Sequence, residues 1–185
     1  MPKLMYMTNT SLDSYIEDAT GNFDWVNPDK VFEFVTELLQ PVGTHLLGRR
    51  LYETMAYWDA PVEDYPPEQR RFVQAWQKAD KIVFSRTLTG ASKRNTRVER
   101  DFDPEAIRKL KRESQRDIII GGAELAGLAL KADLVDECHL FLNPVIVGGG
   151  KPAFQAGLRQ NLELFETRRL DTGVIYVRYR LRGGA

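Results

Sequence analysis

Cysteine is nearly absent: Cys138 is the only one in 185 residues. That excludes a disulfide framework within the chain and fits a reducing compartment. Histidine is almost as scarce, with His45 and His139 alone, so a zinc site of the usual kind lacks ligands. Neither sign of charge is in excess, Lys+Arg and Asp+Glu standing at 26 each. No basic field favours nucleic acid and no acidic field favours cationic partners. No apolar run approaches the roughly 18–20 residues of a membrane helix. The start, MPKLMYMTNT, lacks a basic segment leading into a long apolar stretch, so no secretory signal is visible. These absences predict a cytoplasmic protein that engages neither membrane nor nucleic acid. With 43% hydrophobic and 28% charged residues, the chain is expected to form one domain over 1–185 with a sizeable core.

Hydrophobic spacing sets the expected elements. Residues 3–8 read as a first strand, followed by an irregular stretch at 14–28 of the length typical of a functional lid. Pro28 opens a helix on which Val31, Phe34, Val35, Leu38 and Leu39 share one face. A strand at 44–47 leads into a helix at 51–58, and 60–68 is proline-rich and acidic, hence a surface loop. A helix at 69–79, a strand at 81–84, a polar loop at 87–95 and a short strand at 96–99 follow. Asp103-Pro104-Glu105 is a helix start by cap, ring and dipole, and that helix runs to about Gln115. A β-branched strand at 117–120, a helix at 123–131, a strand at 136–142 and a terminal hairpin at 162–170 and 174–181 complete the chain. Strand and helix alternate, which predicts an α/β fold of three layers, α/β/α. Its central sheet is mostly parallel, with an antiparallel C-terminal hairpin.

Ligands of such sheets bind where strands end and helices begin. Three junctions share a character: Leu46-Leu47-Gly48-Arg49-Arg50, Val83-Phe84-Ser85-Arg86, and Ile119-Ile120-Gly121-Gly122-Ala123-Glu124. Glycine lets backbone N–H groups approach a phosphate, and arginine adds a fork of donors. Any one junction is as well explained by a tight turn or a solvated arginine. Three at one sheet edge suit a ligand with several phosphates, such as a dinucleotide. The spaced triple-glycine fingerprint and the Lys-Ser/Thr phosphate loop are both missing.

These junctions, together with Ser11-Leu12-Asp13-Ser14-Tyr15-Ile16 and the stretch from Val135-Asp136-Glu137 through Pro144-Val145-Ile146-Val147-Gly148-Gly149-Gly150-Lys151, appear in family order over nearly the whole chain. In this the chain resembles the dihydrofolate reductase-like superfamily, and most closely the reductase domain of bacterial riboflavin biosynthesis. The resemblance implies an NADPH-dependent reductase. Its expected cofactor-binding residues are Leu47, Gly48, Arg49 and Arg50 along the phosphates and Ser85 and Arg86 at the 2′-phosphate, helped by Lys93 or Arg94. Ile120, Gly121, Gly122, Ala123, Glu124 and Leu125 complete the set near the pyrophosphate and nicotinamide. It also implies a small heterocyclic or imine/carbonyl substrate, with reduction of a pyrimidine ribosylamine phosphate as the nearest model, and a homodimer through Tyr57, Trp58 or the terminal hairpin. Departures are Ser14 where the family has Gly, Leu51 where it has Thr, Asn143 where His is frequent, and Lys30 at the place of the pteridine reductases' carboxylate.

Asp13, Trp25, Asp29 and Asn143 are the candidate substrate-binding residues. Each has a plainer role open to it: an Asx turn for Asp13, dipole complementation for Asp29, a packing anchor for Trp25. Cys138 reads as a small buried hydrophobe, and Arg108–Arg112 as a solvated helix face. Two other functions stay open, a non-catalytic nucleotide- or flavin-binding module and a structural oligomer whose glycines only make turns.

Overall fold

The computed structural model describes residues 2–26, 31–90, 95–171 and 173–182. In chain order the elements are β1 (Leu4–Thr10), β2 (Tyr15–Asp18), α1 (Phe32–Leu39), β3 (Val42–Gly48), α2 (Arg49–Met55), α3 (Pro67–Lys78), β4 (Asp80–Phe84), β5 (Thr96–Glu99), α4 (Pro104–Glu113), β6 (Asp117–Gly121), α5 (Ala123–Lys131), β7 (Glu137–Leu142), β8 (Gly150–Pro152), β9 (Leu162–Arg169) and β10 (Ile175–Leu181), with 3-10 turns at Ala56–Asp59 and Val62–Asp64.

Eight strands form one sheet in the order β5-β4-β3-β6-β1-β7-β10-β9. Strands β5 through β7 run parallel, and β10 and β9 add the antiparallel edge. The central strands are apolar on both faces because helices cover both. Leu4, Tyr6, Leu46, Ile118 and Ile120 pack with Ile107 of α4 and Leu125, Ala126 and Ala129 of α5. Met5, Leu47, Val83 and Ile119 pack the other way, against Phe32 of α1, Tyr52 of α2 and Phe72, Val73 and Trp76 of α3. The expected three-layer architecture is therefore the one observed.

Local chemistry fixes the helix starts. Asp103 accepts a 2.9 Å bond from the Glu105 N–H, and Pro104 takes the first turn, where a missing N–H costs nothing. Pro67 does the same for α3. Among the described residues, no helix is long and apolar enough to cross a membrane.

Three local expectations need correction. The stretch 14–28 is not irregular throughout: Tyr15–Asp18 pairs antiparallel with Gly150–Pro152 as a separate two-stranded sheet. Only Gly fits at 150, where φ is +134° and a Cβ would lie 2.1 Å from the Glu17 carbonyl oxygen. The helix expected at 51–58 begins earlier, at Arg49, and tightens into a 3-10 turn at Ala56. The segment 60–68 is not simply surface loop, since it holds a 3-10 turn and Tyr65, buried against Trp58. Trp58 is half-buried and edge-on to Phe32 and Phe72, and Tyr57 is 66% exposed. Pro28, Asp29, Lys30, Lys93 and Arg94 lie outside the described residues.

Candidate functional site: a phosphate cradle over an apolar cavity

Because β4, β3 and β6 are parallel neighbours, their carboxyl ends open at one rim. A cavity of about 600 Å³ lies there. The β3–α2 turn contributes Gly48, Arg49, Arg50 and Leu51; β4 contributes Phe84, Ser85 and Arg86; the β6–α5 turn contributes Gly122, Ala123, Glu124 and Leu125. All three predicted junctions thus meet in one groove.

The β6–α5 turn is shaped by its two glycines. Gly122 caps α5 at φ +92°, a conformation costly for a side-chain-bearing residue, and no side chain caps the helix. The first N–H groups of α5 therefore lack intrahelical acceptors beside the cavity. A Cβ on Gly121 would stand 2.4 Å from Leu51 Cδ2, so α2 can close onto the sheet only over glycine.

Every cation of the cradle is held by a carboxylate or carbonyl. Arg49 donates to Glu53 at 2.7 Å and to the Thr87 hydroxyl at 2.7 Å. Arg86 donates twice to Asp101, at 2.5 and 3.0 Å. Arg50 faces Glu17 at 3.5 Å, and Lys151 meets Glu124 at 2.8 Å. That lysine bond is the main reason the Glu124 carboxyl is held below its ordinary value. These pairs are exposed, hence weak, and a polyphosphate can replace the carboxylates. Ser85 is buried; its hydroxyl oxygen accepts from the Leu88 N–H at 3.0 Å and the Thr87 N–H at 3.3 Å, so it shapes the loop that carries Arg86.

Leu47 and Gly121 do not line the cradle. They line a second cavity of about 260 Å³ on the α1–α3 face, whose wall Leu51 shares with the cradle. Ile120 is fully buried in the opposite core layer. Sequence reading missed Arg100, Asp101 and Phe102, because the pairing of β5 with β4 that brings them to the rim is tertiary. It also left Lys151 unassigned.

The described substrate candidates, Asp13, Trp25 and Asn143, do not line either cavity. Asp13 accepts from the Gly148 N–H at 2.8 Å and the Val147 N–H at 3.2 Å, anchoring the loop before β8. The Ser11 hydroxyl, and then these N–H groups, hold its carboxyl below the usual range. Asn143 is buried, its amide donating to the Phe141 and Thr10 carbonyls at 3.0 and 3.1 Å. Trp25 lines neither cavity, and its indole N–H is buried without an acceptor.

Residues 2–176 match the model of the RibD C-terminal domain. The chain belongs to the RibD C-terminal domain family. It is 32% identical to YyaP of Bacillus subtilis, an uncharacterized protein, over 94% of this chain and 92% of that one. Among solved structures it is similar to a putative riboflavin biosynthesis protein from Shewanella sp. PV-4, with TM-score 0.76, 22% identity and 97% and 99% of the two chains covered. It is also similar to the dihydrofolate reductase of Enterococcus faecalis complexed with NADP(H), with TM-score 0.65, 15% identity and 97% and 96% covered. At these identities the two structures establish the shared fold.

Proposed function

We propose that this RibD C-terminal domain protein is an NADPH-dependent reductase of a small heterocyclic or imine/carbonyl substrate. The observation that carries the reading is the meeting of three Gly/Arg strand ends in one groove beside an apolar cavity. The residues of the cradle suit the cofactor: N–H groups at the start of α5 without intrahelical acceptors, Gly122 at φ +92° before them, and several cations match a pyrophosphate and a 2′-phosphate. Arg49, Arg50 and the α5 N-terminus would hold the phosphates, and Arg86 with Arg100 the 2′-phosphate. NADPH, when bound, supplies a hydride to the electrophilic atom of a C=N or C=O bond, and water gives the proton to its neighbour. The chain orients the partners and screens them from bulk solvent, with Leu51 in the wall that the two cavities share.

Thermal melting tests this reading. NADPH is expected to raise the melting temperature and NADH to raise it less, because a ligand held only by the folded state stabilises it. Absence of any shift with either nucleotide would remove the reading. A non-catalytic nucleotide-binding module is the second reading, favoured by Leu51 in place of a hydroxyl residue. Tight NADPH binding without NADPH oxidation across aldehydes, imines, pterins and pyrimidine ribosylamines would select it.

A homodimer and a cytoplasmic location belong to the same proposal. Strand β9 is a free sheet edge with Leu164 and Phe165 exposed. Its sequence, LELFETRR, has Glu163 near its start and Arg168 and Arg169 at its end. Antiparallel approach of two copies can set Glu163 of each against Arg168 of the other, which supports a second copy as the partner.

A further inference from the structure

The cradle and the cavity beside it differ sharply in charge. The cradle is lined by Arg49, Arg50, Arg86, Arg100 and Lys151. The 260 Å³ cavity has walls that include Met7, Val35, Leu51, Met55, Trp58 and Phe141. Its described lining holds no Lys, Arg, Asp or Glu; besides the indole N–H groups of Trp58 and Trp76, its polar side chains are Thr8, Asn9 and His45. Among the described residues, the cations that could meet a phosphate are therefore on the cradle side. A phosphate brought into the apolar side would lose its hydration without gaining a charged partner.

His45 is the unusual member of this lining. It lies mid-strand in β3, paired with β4 on one side and β6 on the other, so its backbone is fixed. It is 5% exposed, its ring stands edge-on to Trp76 at 5.1 Å, and among the described residues its ring nitrogens have no hydrogen-bond partner. Buried polar groups are normally paired, and one left open in a cavity wall awaits a ligand group. Burial, and then the neighbouring Lys81 ammonium, push the imidazole down to about 3. It is therefore neutral, offering one donor and one acceptor nitrogen, and is a positioning group rather than an acid.

We infer that the substrate reduced by this chain is a planar, uncharged and largely apolar molecule without a phosphate, the size of one or two fused rings, whose single buried polar group hydrogen-bonds His45. The inference rests on the reductase reading for the word substrate; the chemistry of the cavity stands on its lining. It departs from the phosphoribosyl pyrimidine suggested by resemblance, whose phosphate has no cation to meet among the described lining residues.

A matched pair of probes tests it by calorimetry on the full chain, with and without NADPH: 2-naphthol and 2-naphthyl phosphate, with 2-methylnaphthalene as the apolar control. Naphthol is expected to bind at least about tenfold more tightly than the phosphate. His45→Leu is expected to weaken naphthol severalfold while leaving methylnaphthalene unchanged, and His45→Gln to recover part of the loss. Both variants sit in a packed strand, so Met55→Arg provides an independent arm. It is expected to narrow or reverse the preference against naphthyl phosphate. Equal or tighter binding of the phosphate by the unmodified chain, or no binding of either naphthol or methylnaphthalene, overturns the inference. So does an equal loss of naphthol and methylnaphthalene binding in His45→Leu. If naphthol binds as expected while NADPH neither binds nor is oxidised, the reductase reading fails and the cavity's ligand class stands. If NADPH is oxidised only with phosphorylated substrates, the reverse holds.

Discussion

At the scale of single residues, the proposed function makes Arg86 and Asp101 the pair that sets coenzyme preference. A 2′-phosphate must take Arg86 from a carboxylate that would then sit beside the new negative charge. Arg86→Ala is expected to weaken NADPH by about tenfold or more, as loss of a charged hydrogen bond does, while NADH changes little. Asp101→Asn is expected to tighten NADPH and not NADH; fluorescence titration of both nucleotides measures it. His45 makes a second prediction. Its folded imidazole titrates near 3, whereas an unfolded one takes its proton near 6.5. The unfolded state thus binds more protons between those values, and stability falls with acidification by up to about 1.4 kcal/mol per pH unit. Glu137 joins only lower down. Burial alone would raise its carboxyl, but bonds from His139, Arg178 and Lys3 outweigh that and hold it low, so its share is lost below its unfolded value of about 4.5. Denaturant melts from pH 6.5 to 4.5 should therefore slope in the unmodified chain and be flatter in His45→Gln. Arg49 and Arg86 could be picked out in the sequence because strand-end chemistry is local. Asp101, which neutralises Arg86, could not, because only sheet pairing brings it there.

At the scale of elements, the small β2–β8 sheet ties the stretch after Asp13 to the glycine run before Lys151. Gly150→Ala places a methyl group on the Glu17 carbonyl at a φ that alanine rarely adopts, and a loss of about 1–3 kcal/mol follows from such strain. Because Lys151 pairs with Glu124 at the cradle, NADPH affinity should fall with stability. Calorimetric unfolding and nucleotide titration of one sample check both. This sheet gave no sequence signal: all four residues of β2 are half-buried, without alternation, and β8 reads as turn glycines. By contrast α3 and β6 were legible because each buries a set of apolar residues, while α1 was legible as a helix but not in its buried side, where Phe32 and Thr36 join Leu39. The helix at α2 was misplaced since its start is charged and its apolar residues come later.

At the scale of the whole molecule, alternation of strands and helices was enough to read three layers and a parallel sheet, since both core layers follow from strands apolar on both faces. The strand order was not legible, and it is the order β4-β3-β6 that turns three separate turns into one groove. Zero net charge conceals this segregation, with cations collected at one rim. The free β9 edge predicts a dimer in light scattering. Arg substitution at Glu163 should give monomers, and restoring charge balance with Glu at Arg168 should recover the dimer. A dimer indifferent to these changes places its contact elsewhere.

The most direct measurement is electron density from crystals soaked with NADPH. Density for one dinucleotide is expected to run from Arg86, past Gly48 and Gly122, with its nicotinamide end reaching Leu51 at the mouth of the apolar cavity. Ordered nucleotide at any other surface, or a cradle whose arginines keep their carboxylate partners at saturating NADPH, would contradict it.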